Sequence, residues 1–271
     1  MTAPKLLVTG GGGLLGSRLA LQAASSGWDV TATVRRAAAP SGIRPVPADL
    51  RDAVAVAALL EEVDPDVVVH TAYDKADNGD DSVTVAGTAA LAGARGRLVL
   101  TSTDLVFSGR AGRPYTEADE PDPTLDYGRG KRRAEQLVPP DGLIVRLPLL
   151  VDVSEGEQVE LVRASARGEA TLFTDELRCP ALVDDVAASI LELLARERTG
   201  AVHLGGAAEV DRATLGRLLA PHAGIDPDSL SIGPTPDSLI EAGRPSDVRL
   251  DSSLAAGLGL RPRSIIEALR A

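Results

Sequence analysis

The chain is poor in the residues that most often staple or fill a small protein. Its 271 residues include one cysteine, one tryptophan and two phenylalanines. A lone Cys179 excludes an internal disulfide and any cysteine-cluster metal site. It is expected as a small half-buried side chain, because a reactive thiol needs a cationic neighbourhood and only Arg178 adjoins it. Aromatics make up 2% against 44% hydrophobic residues, so the core must be built from Ala, Val and Leu. No apolar run reaches the ~18 residues of a membrane-spanning helix. The opening residues, Met1 to Lys5, lack the charged and apolar regions of a signal peptide. A soluble cytoplasmic protein is the expectation. No Lys/Arg block is present and the net charge is −11, so nucleic acid is not an expected partner. Anionic ligands must then be met by a few placed arginines and by backbone amides. No carboxylate/His spacing demands a metal.

What is present is an alternation of short apolar runs with helical patterns. Leu6–Val8, Val30–Val34, Ile43–Val46, Val67–Val69, Leu98–Leu100 and Leu143–Val145 read as strands. Leu14–Ser25, Ala53–Glu62, Ser82–Gly93 and Tyr127–Leu137 read as helices. Such alternation predicts an α/β fold, a Rossmann-type doubly wound parallel sheet covered on both faces. From Pro148 the segments shorten. Val186–Arg196, Arg212–His222 and Ser264–Leu269 read as helices, and Ala201–Leu204 as a strand. The expected division is a dinucleotide-binding domain over 1–150, completed by parts of 181–205, and a smaller substrate-binding lobe over 151–271. The proline-rich stretch from Phe107 to Asp126 is expected as a wall of the site.

Thr9-Gly10-Gly11-Gly12-Gly13-Leu14-Leu15-Gly16 joins the first strand to the first helix. Gly10, Gly13 and Gly16 have the spacing that lets a dinucleotide's pyrophosphate approach the backbone at a helix N-terminus. Thr9, Gly10, Gly12, Gly13, Leu14, Leu15 and Gly16 are therefore candidate cofactor residues. The second strand ends in Arg35 and Arg36 with no carboxylate. Arginine pairs with a 2′-phosphate, so NADPH is expected over NADH. Asp49 and Leu50, after the third strand, are expected beside the adenine, and Thr71, Ala72 and Tyr73, after the fourth, along the cofactor cleft. His70 reads better as a packed strand-end histidine than as a proton relay.

Tyr127 and Lys131 stand four apart in a chain with three tyrosines and three lysines. Chance supplies a Tyr-x-x-x-Lys about 0.03 times in such a chain, so the pair is a site candidate. A tyrosine is a poor acid–base catalyst near neutrality unless its phenolate is stabilised. A lysine one helical turn on lies on the same face and can do this. The same ammonium can reach a nicotinamide ribose. A hydroxyl from Ser102-Thr103, after the preceding strand, can polarise a substrate oxygen, with Thr103 favoured over Ser102.

These motifs, with Ser102-Thr103-Asp104-Leu105-Val106-Phe107, Pro114-Tyr115-Thr116-Glu117 and Tyr127-Gly128-Arg129-Gly130-Lys131, resemble the extended short-chain dehydrogenase/reductases. Within them the chain is most similar to the dTDP-4-dehydrorhamnose reductase branch. Arg178-Cys179-Pro180, Val183-Asp184-Asp185-Val186-Ala187 and Arg244-Pro245-Ser246-Asp247 extend the likeness over nearly the whole chain. The resemblance implies hydride transfer from NADPH to a ketone on a nucleotide-sugar. It makes Thr103 the carbonyl polariser, Tyr127 the proton donor and Lys131 the ribose ligand and pKa modulator. It puts Asp104, Val106, Arg178 and Arg244, with Thr103 and Tyr127, at the substrate, Arg244 at its diphosphate. A homodimer is compatible with it. Thr84 stands where the family often carries an asparagine that supports a water chain to the lysine, so that relay is expected to be altered. A nucleotide-sugar epimerase or dehydratase, and a non-catalytic NADP-binding regulatory subunit, are the rival readings.

Overall fold

The structure, a computed structural model, describes residues 2–35, 37–73 and 82–270. The chain folds into two compact units, and each draws on several stretches of sequence. The first comprises Met1–Thr103, Asp126–Arg146 and Ala187–Val202, and the second Asp104–Leu125, Leu147–Val186 and His203–Ala271.

The first unit is built on a seven-stranded sheet. Its labelled strands are β1 (Lys5–Thr9), β2 (Asp29–Val34), β3 (Arg44–Pro47), β4 (Val67–His70), β5 (Arg97–Thr103) and β6 (Leu143–Leu147). The order is Gly200–His203, β6, β5, β4, β1, β2, β3. The pairings β1–β2, β1–β4, β2–β3 and β4–β5 are parallel, with Thr9 opposite His70 and His70 opposite Leu100. This is the doubly wound order, reversing direction between β1 and β4, where ligands bind beyond the carboxyl ends of the strands. Leu6, Leu7, Val8, Val68 and Val69 are fully buried, as strands covered on both faces require. Helices α1 (Leu14–Ser25), α2 (Ala53–Val63), α3 (Val85–Leu91) and α4 (Asp126–Leu137) belong to this unit. Asp52 caps α2, its carboxylate accepting from the amides of Val54 and Ala55. One apolar cluster joins Leu7 and Val68 to Val56, Leu59, Leu91 and Leu98.

The second unit carries α5 (Glu157–Ala166) and α7 (Arg212–Leu219), while α6 (Val183–Ala195) runs from the second unit into the first. Its β structure consists of two-residue pairs, such as Leu177–Arg178 against Val210–Asp211. Two clusters hold it. Val162, Leu172, Leu215, Leu219 and Ile265 form one, and Val106, Phe107, Tyr115, Val248 and Leu250 the other. Phe107 and Tyr115 stack at 4.2 Å between ring centroids. Two of the chain's few aromatics are thus spent on one contact.

The strand–helix alternation through β6 agrees with the sequence expectation, with local differences. β5 runs on through Thr103, so Ser102 and Thr103 lie in the strand and not after it. The third helix forms only over Val85–Leu91, shorter than the expected Ser82–Gly93. The helix from Arg212 ends at Leu219, because Pro221 cannot continue it and opens a short 3₁₀ turn. Helix α5 fills a stretch that the sequence pattern left without an element. No helix among the described residues is long and apolar enough to cross a membrane.

Candidate active site

The turn after β1 is shaped by sterics. Gly10 adopts φ +71°, and a Cβ there would meet the Ala72 Cα at 2.9 Å. A Cβ on Gly16 would lie 2.3 Å from the Gly10 carbonyl oxygen and 2.8 Å from Thr71 Oγ1. The first turn of α1 therefore presses against the ends of β1 and β4, which only glycine allows. Gly11 N donates to the Thr33 carbonyl at 2.9 Å, and Gly13 N to the Gly10 carbonyl at 2.8 Å. Gly13 is the N-cap of α1 and brings no side-chain acceptor. The first-turn amides, from Leu14 on, are left to an anion. Leu15 is buried and Leu14 half-buried. Amides left without acceptors at a helix start, behind a turn of glycines, suit a dinucleotide's phosphates.

A chain of hydrogen bonds ties β1, β4 and β5 together at their carboxyl ends. Thr9 Oγ1 lies 2.7 Å from His70 Nδ1 and accepts from the Ala72 amide at 3.3 Å. Thr71 Oγ1 donates to the Thr9 carbonyl at 2.6 Å. Thr101 Oγ1 donates to the His70 carbonyl at 3.0 Å. Lys131 Nζ donates to the Thr101 carbonyl at 2.9 Å. His70 is wholly buried, and desolvation first, then the charge of Lys131, pushes its pKa down to about 3. Its Nε2 makes no hydrogen bond of good geometry among the described residues, although the Thr84 and Val83 carbonyls lie close enough to favour a proton there.

Tyr127 sits in the first turn of α4 and is half-buried, and Lys131, one turn on, is 4% exposed. Burial lowers the Lys131 pKa to about 8, with Glu135 opposing the shift. Glu135, a further turn along, holds Arg146 through two 3.0 Å bonds. Tyr73 is 44% exposed, and its ring meets the Tyr127 ring edge-on at 6.2 Å. Thr103 is buried at the end of β5. Strand alternation puts it on the same face as Thr101 and opposite Ser102. The Ser102 hydroxyl is buried and has no hydrogen-bond partner among the described residues.

Other expected residues fall differently. Asp49 is gripped by Arg51 through bonds of 2.6 and 2.9 Å, which with the Arg51 amide hold its pKa down to about 2. Arg35 lies close enough to Asp49 to add to that lowering. Arg36 lies outside the described residues. Two placements need correction. The Leu50 side chain, 3% exposed, belongs to the apolar cluster with Val56 and Val83 and is not a ligand-facing group. The Val106 side chain, fully buried, packs with Phe107, Val248 and Leu250, so it is core and not substrate wall. Cys179 is fully buried rather than half-buried, and desolvation pushes its thiol up to about 12, the opposite of a reactive thiolate.

In the second unit Arg178 is 3% exposed. Its Nη2 meets Glu176 Oε1 at 2.6 Å and its Nε lies 3.7 Å from Asp104 Oδ2. Arg244 meets the other Glu176 oxygen at 3.0 Å, and its guanidinium stands 5.2 Å over the Phe173 ring. Sequence reasoning named both arginines and missed the carboxylate between them. It also missed Thr101, Glu135 and Arg146. A Glu two residues before Arg178 was a readable signal; the others touch the site only through tertiary contacts.

The sheet order, the glycine cradle and the Tyr127/Lys131 helix define a Rossmann fold of the extended short-chain dehydrogenase/reductase kind. The chain belongs to the RmlD substrate binding domain family, which matches residues 4–271. The resemblance to the dTDP-4-dehydrorhamnose reductase branch is thereby borne out. A "probable low-salt glycan biosynthesis reductase" of Haloferax volcanii is 30% identical, covering 92% of this chain and 90% of the relative. A dTDP-4-dehydrorhamnose reductase of Mycobacterium tuberculosis is 29% identical, covering 95% and 88%. Rat methionine adenosyltransferase 2 subunit beta is 28% identical, covering 96% and 84%. In fold, the chain matches the crystal structure of Bacillus anthracis dTDP-4-dehydrorhamnose reductase in complex with NADP. The TM-score is 0.82 at 20% identity, covering 99% of this chain and 98% of that one.

Proposed function

We propose that this protein is an NADPH-dependent ketoreductase whose substrate is a keto group on a nucleotide-activated deoxysugar. The observation that carries this reading is Lys131: a buried ammonium fixed on the Thr101 carbonyl, one helical turn from Tyr127. Gly10, Gly12, Gly13, Gly16 and the first-turn amides of α1 would hold the cofactor's phosphates. Arg35, with no carboxylate at the end of β2, would favour the 2′-phosphate. Thr71, Ala72 and Tyr73 would line its path. The bound cofactor supplies the hydride. Tyr127 delivers the proton to the substrate oxygen, Lys131 stabilises the phenolate left behind, and the Thr103 hydroxyl holds that oxygen by a hydrogen bond. With that hydride and the Tyr127 proton the carbonyl becomes an alcohol. The first unit is the dinucleotide-binding part in this reading, and the second, through Arg178 and Arg244, the substrate-binding part. The cytoplasm is the proposed location.

The nucleotide-sugar class is supported by the names of the bacterial relatives. The rat relative, named as a subunit of another enzyme, favours a second reading: a regulatory NADP-binding subunit. Purified protein incubated with NADPH and a panel of 4-keto-6-deoxy nucleotide-sugars and simple ketones separates the two. Tyr127→Phe should keep NADPH binding and lose at least about a hundredfold in turnover. A Tyr127→Phe protein as active as the parent rejects the assignment. NADPH binding without turnover on any ketone favours the regulatory reading.

A further inference from the structure

Three guanidiniums and two carboxylates gather in the second unit. Glu176 Oε1 accepts from Arg178 Nη2 at 2.6 Å and from Arg244 Nη2 at 3.3 Å, and its Oε2 accepts from Arg244 Nη2 at 3.0 Å and Nε at 3.2 Å. Asp104 lies 3.7 Å from Arg178. Arg212, at the start of α7, donates to Gln158 Oε1 at 3.1 Å and forms no ion pair among the described residues. It feels the charges of Glu176, Arg178, Arg244 and Asp104, and desolvation first, with Arg178 and Arg244, lowers its pKa. The cluster thus carries one positive charge more than it balances.

The two arms of Glu176 differ. Arg178 is buried, and it also donates to the carbonyls of Leu177 and Pro245. Arg244 is a third exposed at its side chain, and among the described residues its guanidinium is held by Glu176 and the Phe173 face. The Arg178 arm is fixed, whereas the Arg244 arm can let go at the cost of one partly exposed ion pair. A carboxylate in that position satisfies the fork that a phosphate oxygen would otherwise use.

We propose that Glu176 is a specificity-determining residue: an internal counter-anion that competes with a ligand's diphosphate for the guanidinium of Arg244. A nucleoside diphosphate binds by taking Arg244 from Glu176, which stays on Arg178. The inference rests on the reading of Arg178 and Arg244 as substrate residues.

Titration of the full chain with thymidine 5′-diphosphate, and separately with thymidine, tests this. Glu176→Gln keeps the side chain's size and removes its charge. It should bind the diphosphate at least about tenfold more tightly than the parent, with thymidine affinity unchanged. Glu176→Asp withdraws the carboxylate by one methylene and should give a smaller gain, which covers the case in which the Gln variant does not fold. Adding Arg244→Ala to either variant should erase the gain. A folded variant that binds the diphosphate no more tightly than the parent overturns the proposal. So does a failure of all forms to bind it, even if ketone-dependent NADPH oxidation persists. Loss of that oxidation with the Glu176→Gln gain intact would instead sink the reductase reading alone.

Discussion

Thr9 and His70 are locked side chain to side chain, Oγ1 to Nδ1 at 2.7 Å, across the paired ends of β1 and β4. Thr9 Oγ1 also accepts from the Ala72 amide. The Thr84 and Val83 carbonyls near Nε2 favour the ring proton there, which leaves the hydroxyl donating to an unprotonated Nδ1. The histidine is then a neutral strut under the glycine turn.

That strut makes stability depend on pH with a definite sign. The folded pKa of His70, about 3, lies below its ordinary value of 6.5. Between those values the unfolded chain binds a proton that the folded chain refuses. Folding stability is therefore full above pH 6.5 and falls by roughly 1.4 kcal/mol per unit as pH drops through the window. Urea denaturation from pH 7.5 to 4.5 measures it. His70→Asn should lose this part of the slope; an unchanged slope between pH 6.5 and 4.5 would refute the neutral strut.

Gly13 and Gly16 should separate packing from binding. A Cβ on Gly16 meets backbone oxygen at 2.3 Å, whereas one on Gly13 meets only the Gly10 carbonyl, at 3.2 Å. Gly16→Ala is expected to cost about 1–3 kcal/mol of stability. Gly13→Ala should melt near the parent yet bind NADPH at least about tenfold more weakly, because its methyl meets little of the fold and would crowd phosphates bound at the helix start. Thermal melts with cofactor titration decide; equal melting of the two variants would contradict the steric account.

Much of the first unit was legible because its signals are local. Leu14–Ser25 carries apolar periodicity behind a glycine turn, and it is a helix over those residues. The candidate pair Tyr127 and Lys131 was legible through spacing and rarity. What escaped notice depends on contacts far apart in sequence. Lys131 reaches a carbonyl 30 residues away and Arg244 a carboxylate 68 residues away. No periodicity records such pairs. Val106 and Leu50 misled in the other direction. A motif stretch includes residues kept for packing, and an apolar side chain inside one is more often core. Helix α5 was missed because Glu157–Ala166 mixes charged residues into its pattern and buries Gln158 and Ser165 alongside Val159 and Val162.

Lys131 supplies a pH signature of its own. Its folded pKa, about 8, is below the ordinary 10.5. Between these values the unfolded chain holds a proton that the folded chain has released, so stability rises with pH across the window. Lys131→Met should abolish that rise. It should also lower turnover by at least about a hundredfold, since the phenolate of Tyr127 loses its neighbouring cation. Denaturation at pH 7.5, 9 and 10 with matched initial rates tests both; a Met variant with parental turnover would remove Lys131 from the site.

Glu135 links the fold to that chemistry. It lies one turn beyond Lys131 on α4, is fully buried at its side chain, and grips Arg146 with two 3.0 Å bonds. It is also the charge that holds the Lys131 pKa up against burial. Removing one partner of a buried pair leaves the other uncompensated, so Glu135→Gln should cost about 3–5 kcal/mol. Replacing both Glu135 and Arg146 with methionine removes the buried guanidinium with its carboxylate and takes the carboxylate only from the partly exposed Arg132, so it should cost much less. In that folded double variant Lys131 loses its nearby carboxylate. Its pKa should fall below that of the parent, and the stability rise attributed to it should begin at lower pH. Urea melts from pH 6.5 to 10 on the parent and the double variant read this directly. An onset that does not move would show that Glu135 serves its arginine partners, Arg146 and Arg132, and leaves the ammonium to burial and the Thr101 carbonyl.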